Sequence, residues 1–561
     1  MQLSQIRQSV ADRLRVELRE TQVTVANHLL GRGIVEMETG EGKTLAIAVA
    51  AIAMASNGRT VNIATANDYL ARRDADWMHP IYDDLGITVD AVSASCSMVA
   101  KQSAYAASVT YGTLRQFGFD YLQQEMADRE ARRRHAAAPP RQSPRMDVLI
   151  VDEADNVLID EARTPLIVTS STGPIDSADR SAYLWAAQIA RSLSTSCDYV
   201  VPTDTNAVAL TPLGYSKLSR SPMPADMNSM TTTAIVHFVE RAIESIHRLR
   251  RDQHYILLDN RVFLVDEFTG RTQPDRSFAD GMQQAIEARE GVNITCPSQP
   301  VARITLQELV TRFKHLSGTT GTAWEDRREL AQVYGLPLER VAPHRPSRRT
   351  VLPTTVCVSE EDKFERIVDE VESMVAGRRA VLLGTRTIEK SETLSRLLHS
   401  RSLPHVVLNA RHRRHEAELI AAAGTEGRVT VATNMAGRGT DIQVSDRVRQ
   451  SGGLHVIVSE LHPAARIDRQ LAGRCARQGD PGSVRTFVSP DDEVVEMAFG
   501  PDKANRIRAS RKNLGWIVRR AQSIVSRQHR RGRIQLTQQG QSIGAAMRQL
   551  GLDPNLDPLA P

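Results

Sequence analysis

Aromatic residues make up only 4% of this 561-residue chain, and its cysteines number five. Few aromatics leave few platforms on which the bases of a single strand could stack, which weighs against nucleic acid as the main ligand. The cysteines, at 96, 197, 296, 357 and 475, are scattered and odd in number, with no C-x-x-C pair. Neither a disulfide framework nor a structural zinc site is expected, and a reducing cytosol is the simplest home. The longest apolar run, residues 45–55, is about half of what a bilayer-spanning helix needs. The opening MQLSQIRQSVADRLRVELRE is charged and lacks the apolar centre of a signal peptide. The expectation is a soluble cytoplasmic protein that at most lies against the inner face of a membrane. A large charge of one sign is also missing. Lys and Arg total 71 against 66 acids, a net +5, so a charged partner would have to meet a local patch.

The length predicts roughly three to four domains. From residue 22 to 170, β-branched runs such as TVNIATA, SVTYGT and MDVLIVDEAD alternate with helical periods, the pattern of a parallel sheet with ligands at its carboxyl edge. RRRHAAAPPRQSPR reads as a surface loop within it. Polar segments, a helical stretch over TTTAIVHFVERAIESIHRLRRDQ and a hairpin at YILLDNRVFLVDE then read as an insertion, after which HLSGTTGTA resumes the first domain. APHRPSRRTVLPTT reads as a linker, and five further strand-like runs, RRAVLLGT, HVVLNA, RVTVATNMAG, GLHVIVSE and VRTFVS, make a second alternating unit. The tail repeats apolar residues on one helical face at Leu514, Ile517, Val518, Ala521, Ile524 and Val525. The fold class is therefore α/β: two RecA-like parallel-sheet motor domains, an inserted smaller domain and a helical carboxyl-terminal segment. The expected limits are 1–171 and 263–344 for the first domain, 172–262 for the insertion, 345–495 for the second domain and 496–561 for the helical segment.

TGEGKT, residues 39–44, is a phosphate-cradling loop. Such a loop presents backbone N–H groups to the phosphates, a Lys to the β/γ oxygens and a hydroxyl to Mg²⁺. Thr39, Gly40, Glu41, Gly42, Lys43 and Thr44 form it here. The generic pattern has Gly where this chain has Met37. VLIVDEAD supplies a buried strand ending at Asp152 and Glu153, one carboxylate to hold Mg²⁺ with Thr44, the other to orient or deprotonate the attacking water. Isolated acidic pairs of this kind are often only helix caps. In the second unit, RIDRQLAGRCARQGDPG puts Arg474 and Arg477 three apart, on one helical face. An arginine reaching across a cleft neutralises charge on a transferring phosphoryl group; the alternative is a solvated basic face. TNMAGRGTDI, with Gly437, Arg438, Gly439 and Asp441 at a strand-to-helix turn, places further nucleotide contacts, Gly439 and Asp441, at the same cleft. Two sheets, one with the loop and one with the arginines, make a motor that ATP closes and hydrolysis opens.

DEAD stands verbatim at 152–155, yet Asp152 and the TGT at Thr320 are 168 positions apart, room for a whole inserted domain. The runs around that gap carry a resemblance: LIDEARTPLIV, VDEFTGR, DGMQQAIEAREGV, GTTGTAWED, TNMAGRGTDI and GRCARQGDPGS, with TANDYLARRDA, YGTLRQFGFDYL and HVVLNARHRRHEAELIAAAG. Together, over about residues 20–525, they resemble the preprotein translocase ATPase family SecA. The resemblance implies an ATPase that pushes unfolded secretory preprotein through a SecY-type channel. It makes the insertion a clamp over extended chain, Met37 an ordinary residue of the loop, and Gln22 the adenine-reading glutamine.

Departures from the family pattern generate their own expectations. Cys475 and Ala476 stand where the family motif GRSGRQGD has Ser and Gly, while both arginines survive. The insertion is shorter than the family's clamp, and the helical region before Gln22 is almost absent. Residues 506–533 resemble the opening of the family's long scaffold helix, with no counterpart of its helical wing, two-helix finger or zinc tail before residue 561. The implied outcome is ATP hydrolysis with export in question. Ten Lys or Arg and no acid fall between 506 and 533; that helix either meets anionic lipid or packs on the motor with its charges solvated. RHRRHE, 411–416, is a solvated face without a third metal ligand. Two other functional classes stay open: a nucleic-acid translocase, and a regulatory ATPase that has left export. Oligomeric state is open.

Overall fold

The computed structural model describes residues 2–163, 165–170, 175–201, 208–265, 272–273, 277–278, 280–296, 299–408, 416–433, 441–510 and 513–549. Two seven-stranded sheets dominate it, each parallel throughout. Parallel strands buried on both faces read as continuous apolar runs, and Val148–Val151, Val61–Thr65, Val381–Thr385 and Val429–Thr433 are buried along their whole length.

The first sheet runs Leu338–Arg340, Gly33–Glu36, His315–Thr320, Val148–Val151, Val61–Thr65, Val109–Thr113, Val89–Ala91. Its topology explains the long gap after Asp152. The chain leaves the sheet after Val151 and returns only at His315, in a strand that inserts between Gly33–Glu36 and Val148–Val151. The residues between are rooted on a two-stranded antiparallel ribbon, Pro165–Ser170 with Gln299–Thr305. Beyond that root, helices Ser177–Ser192 and Thr232–Arg248 enclose a core around Trp185, Tyr199, Met227 and Ile243. The hairpin Tyr255–Leu258 with Arg261–Val265 turns at Asp259 and Asn260, both at positive φ (47° and 58°). That is the backbone two-residue hairpins favour, and Asp and Asn tolerate it well. The limit expected between 262 and 263 lies within the second hairpin strand, Arg261–Val265.

The second sheet runs Arg348–Val351, Pro481–Val488, Leu454–Val458, Val381–Thr385, Val429–Thr433, His405–Leu408, with Thr355–Val356 also pairing Pro481–Val488. The stretch expected to be only a linker therefore supplies edge strands. Proline is compatible with such edges because an edge strand leaves one row of N–H groups unpaired.

Helix Leu514–Gln549 crosses from one lobe to the other. Its first part buries Leu514, Val518, Ala521 and Val525 against Leu461, Val488, Val494 and Val495 of the second lobe. There the Gln522 amide donates to Asp468 Oδ2 at 2.6 Å and Ser526 Oγ to the Pro463 carbonyl at 2.6 Å. Further along, Arg533 makes a two-pronged pair with Glu329 of the first lobe (2.5 and 2.8 Å), both side chains buried, and Thr537 Oγ1 donates to Gln307 at 2.7 Å. No helix among the described residues is long and apolar enough to cross a membrane.

Removing one partner of a buried pair leaves the other charge without compensation, at a cost of about 3–5 kcal/mol. Glu329→Ala is therefore expected to loosen this helix, seen as faster amide hydrogen exchange around 527–537. Replacing both partners with Met should retain most of the protection.

Candidate functional site: a cavity between two carboxyl edges

The phosphate loop follows from its backbone. Strand Gly33–Glu36 leads into Met37, fully buried, whose N–H donates to the Thr320 carbonyl at 2.9 Å. Gly40 (φ 92°) and Gly42 (φ 87°) then occupy conformations that side chains rarely tolerate. Helix Lys43–Ala55 starts directly after them, so its unpaired N–H groups and positive end face the loop. The helix is apolar nearly all round, from Leu45 to Met54, because neighbours cover it on every side. Lys43 Nζ lies 3.5 Å from the Met37 carbonyl and 3.5 Å from Glu153 Oε1.

Asp152 and Glu153 stand at the end of strand Val148–Val151, separated from the loop strand by His315–Thr320. The Asp152 Oδ1 atom accepts from Thr319 Oγ1 at 2.9 Å and from the Glu153 N–H at 3.0 Å. Burial, then the neighbouring Glu153 charge, pushes the Asp152 carboxyl up to about 7, although Lys43 and the Thr319 hydrogen bond pull the other way. Glu153 itself has φ +52°, a left-handed conformation that costs a non-glycine residue free energy and persists where the surroundings over-determine it. Two carboxylates crowded beside one lysine, with the Thr44 hydroxyl on the same cavity wall, form a donor set that suits Mg²⁺.

The second lobe supplies the opposite wall. One cavity of about 470 Å³ is lined by Thr39, Gly40, Gly42, Lys43, Thr44, Asp152 and Glu153 from the first lobe. Asp441, Gln470, Arg474, Arg477 and Gln478 line it from the second. Arg477 lies directly over the loop: a Cβ added to Gly40 would sit 3.1 Å from its Cδ. Its guanidinium donates to Asp441 at 2.5 Å, and Gln478 donates to the Gly40 carbonyl at 3.3 Å. Arg474 is buried on the same wall.

Helix Ala465–Ala472, one turn upstream, holds these residues in place. Arg466 bridges Asp160 and Asp326 (3.0 Å to the latter), Arg469 donates to the Thr322 carbonyl at 2.6 Å and to Glu325, and Gln470 donates to Asp155 and to Thr322 Oγ1 (3.0 Å). None of these three cross-lobe residues was picked out in the sequence. Their signal is present, a polar stripe spaced 466, 469, 470 immediately before the arginine motif.

Gln22 and Glu41 are tied to the loop and its surroundings. The Gln22 amide donates to the Glu41 carbonyl at 3.1 Å and accepts from the Arg19 N–H at 3.0 Å, so it braces the loop. Glu41 is buried with its carboxylate accepting from the His344 N–H at 3.0 Å. Gly437, Arg438 and Gly439 lie outside the described residues, as do residues 411–415 of the His-containing run.

Sequence comparison decides the family. A model of the SecA DEAD-like domain matches residues 1–331, and a model of the SecA P-loop domain matches 346–449 and 443–513. The chain belongs to the SecA family. It is similar to Protein translocase subunit SecA 2 of Rhodopirellula baltica, 40% identical over 550 residues, covering 93% of this chain and 84% of that protein. It is also similar to Protein translocase subunit SecA of Caldicellulosiruptor saccharolyticus (40% identical) and of Heliobacterium modesticaldum (42%). Each match covers 84% of this chain but only 56% and 54% of those proteins, so the chain spans about half their length. Among solved structures it is similar to S. cerevisiae Dbp5 bound to RNA and ADP BeF3, at 13% identity and a TM-score of 0.41, covering 86% of this chain and 87% of that one. Likeness at that level carries no functional inference. Membership in the family makes this SecA relative a P-loop ATPase.

Two predictions follow from the geometry. Since the Asp152 carboxyl titrates higher folded than unfolded, the fold binds that proton more tightly. Its stabilising contribution is full below about pH 4 and is lost as pH rises towards 7. In the metal-free protein, Asp152→Asn should flatten the fall of Tm between pH 5 and 7.5; an unchanged slope would contradict the assignment. Ala476 sits at φ +56°, where the resemblance expects Gly, so Ala476→Gly should raise stability by about 0.5–1 kcal/mol, readable as a higher Tm.

Proposed function

We propose that this SecA relative uses ATP hydrolysis at the inter-lobe cavity to drive stepwise movement of an extended, unfolded preprotein, working at a SecY-type channel on the cytoplasmic face of the membrane. The observation that carries the reading is that one cavity has the phosphate loop and acidic pair on one wall and two arginines on the other. In this reading, the loop N–H groups and Lys43 hold the β- and γ-phosphates, and Thr44 and Asp152 hold Mg²⁺, which when bound neutralises phosphate charge. Glu153 accepts a proton from a water whose oxygen attacks the γ-phosphorus as the bond to the β–γ bridging oxygen breaks. Arg477 exchanges its Asp441 partner for the γ-phosphate, and Arg474 joins it. Gln22 contributes by bracing the loop, and Asp441 by holding the arginine when no phosphate is present.

The transport side of the reading rests on how the inserted unit is mounted. We take it to run from strand Pro165–Ser170 to strand Gln299–Thr305. Its root follows the Asp152–Arg163 segment closely, and its hairpin packs Ile256 and Val265 on Ile388 of the second lobe. A unit anchored on one lobe and resting on the other moves when the angle between them changes. The relatives named as protein translocase subunits support polypeptide as the cargo class.

Lys43→Ala and Glu153→Gln are each expected to reduce steady-state ATP hydrolysis by at least 10²-fold, with Glu153→Gln still binding ATP. Unfolded secretory precursor should stimulate the wild-type rate and single-stranded RNA should not. Stimulation by RNA alone would overturn the cargo assignment, and undiminished hydrolysis in both variants would overturn the site.

A further inference from the structure

The short segment 322–326, just beyond the strand His315–Thr320, touches the roots of both catalytic walls. On its inner side, the Trp324 N–H donates to Glu36 Oε2 at 2.6 Å, and Glu36 is the last residue of the strand that enters the phosphate loop. The other Glu36 oxygen accepts from Arg340 Nε at 2.7 Å. The Arg340 and Arg327 guanidinium carbons lie 4.2 and 4.6 Å from the Trp324 ring centroid, a contact between cation and aromatic face that fixes the indole. On its outer side, the same segment meets helix Ala465–Ala472, the arginine helix, which ends just before Arg474: Arg469 donates to the Thr322 carbonyl and to Glu325, and Gln470 to Thr322 Oγ1. Glu325 is about half exposed and Arg469 about one-third exposed, so their ion pair is at the rim of the cleft.

We propose that Glu325 and Arg469 form a positioning pair for ATP hydrolysis, fastening the arginine helix to the segment that Trp324 and Glu36 tie to the phosphate loop. Neither residue lines the cavity, and neither touches substrate. The pair acts through geometry. Arg469 lies five residues before Arg474 and eight before Arg477, so a shift of this helix moves both guanidinium groups relative to Lys43. The Glu36–Trp324 contact resists the complementary shift on the loop side. The lysine and the arginines therefore keep a common spacing through one five-residue bridge. The pair sits at the rim with Glu325 half exposed, so it parts at less cost than Arg466, which is buried between Asp160 and Asp326.

This inference rests on the reading of Arg474 and Arg477 given above, and the test separates the two. Steady-state hydrolysis and ATP binding are measured for Glu325→Ala, Arg469→Ala, the double variant, Arg469→Lys and Arg477→Ala. Exposed pairs of this kind are worth little, so kcat should fall roughly two- to fivefold in each alanine variant, with KM for ATP nearly unchanged. The double variant should lose no more than Arg469→Ala alone, and Arg469→Lys should recover most of the rate. Unchanged kcat in both single variants, losses that multiply in the double, or a rise in KM without loss of kcat would overturn the pair. Arg477→Ala retaining full hydrolysis would instead overturn the parent reading.

Discussion

A triphosphate concentrates negative charge, and in the proposed function neither parallel sheet neutralises it alone. The carboxyl edge of the first sheet offers one lysine, Lys43, and places two carboxylates, Asp152 and Glu153, beside it; burial, and then the neighbouring Glu153 charge, pushes the Asp152 carboxyl up to about 7. Two further cations, Arg474 and Arg477, line the same cavity from the edge opposite. The rest of the structure can be understood from that division. The arginine helix is fastened to the first lobe at Asp155, Asp160, Thr322, Glu325 and Asp326, and each contact fixes how far the guanidinium groups stand from the loop.

The same division makes the site a joint. Three further elements span the two lobes or rest on both: the inserted unit, through Ile256 and Val265 on Ile388; the long helix, through Gln522 and Ser526 on one side and Arg533 on the other; and the segment around Trp324. Their chemistry differs. The buried Arg533–Glu329 pair and the buried Arg466 between Asp160 and Asp326 are costly to break singly, whereas the Arg469–Glu325 pair at the rim is weaker.

Much of this was legible in the sequence because burial leaves a pattern. Continuous β-branched runs marked the central strands of both sheets, and the glycines of 39–44 marked the loop because two of them need positive φ. The apolar face at 514, 518, 521 and 525 marked where the basic helix would pack. What escaped was short, at an edge, or long-range. Val89–Ala91 and Leu338–Arg340 are three-residue strands, and Arg348–Val351 sits among prolines and arginines. The direction in which the Glu41 carboxylate points depends on His344, and no local pattern encodes a partner three hundred residues away. The cross-lobe roles of Arg466, Arg469 and Gln470 were hidden for the same reason: on a helix viewed alone they are only a polar stripe.

The most direct test of this division is an experimental structure of the protein with ADP and beryllium fluoride in the cavity. The account predicts fluoride contacts from Lys43 on one side and from at least one of the Arg474 and Arg477 guanidinium groups on the other, with Arg477 turned away from Asp441. A nucleotide gripped by the first lobe alone, with both arginines still directed into their own lobe, would contradict it.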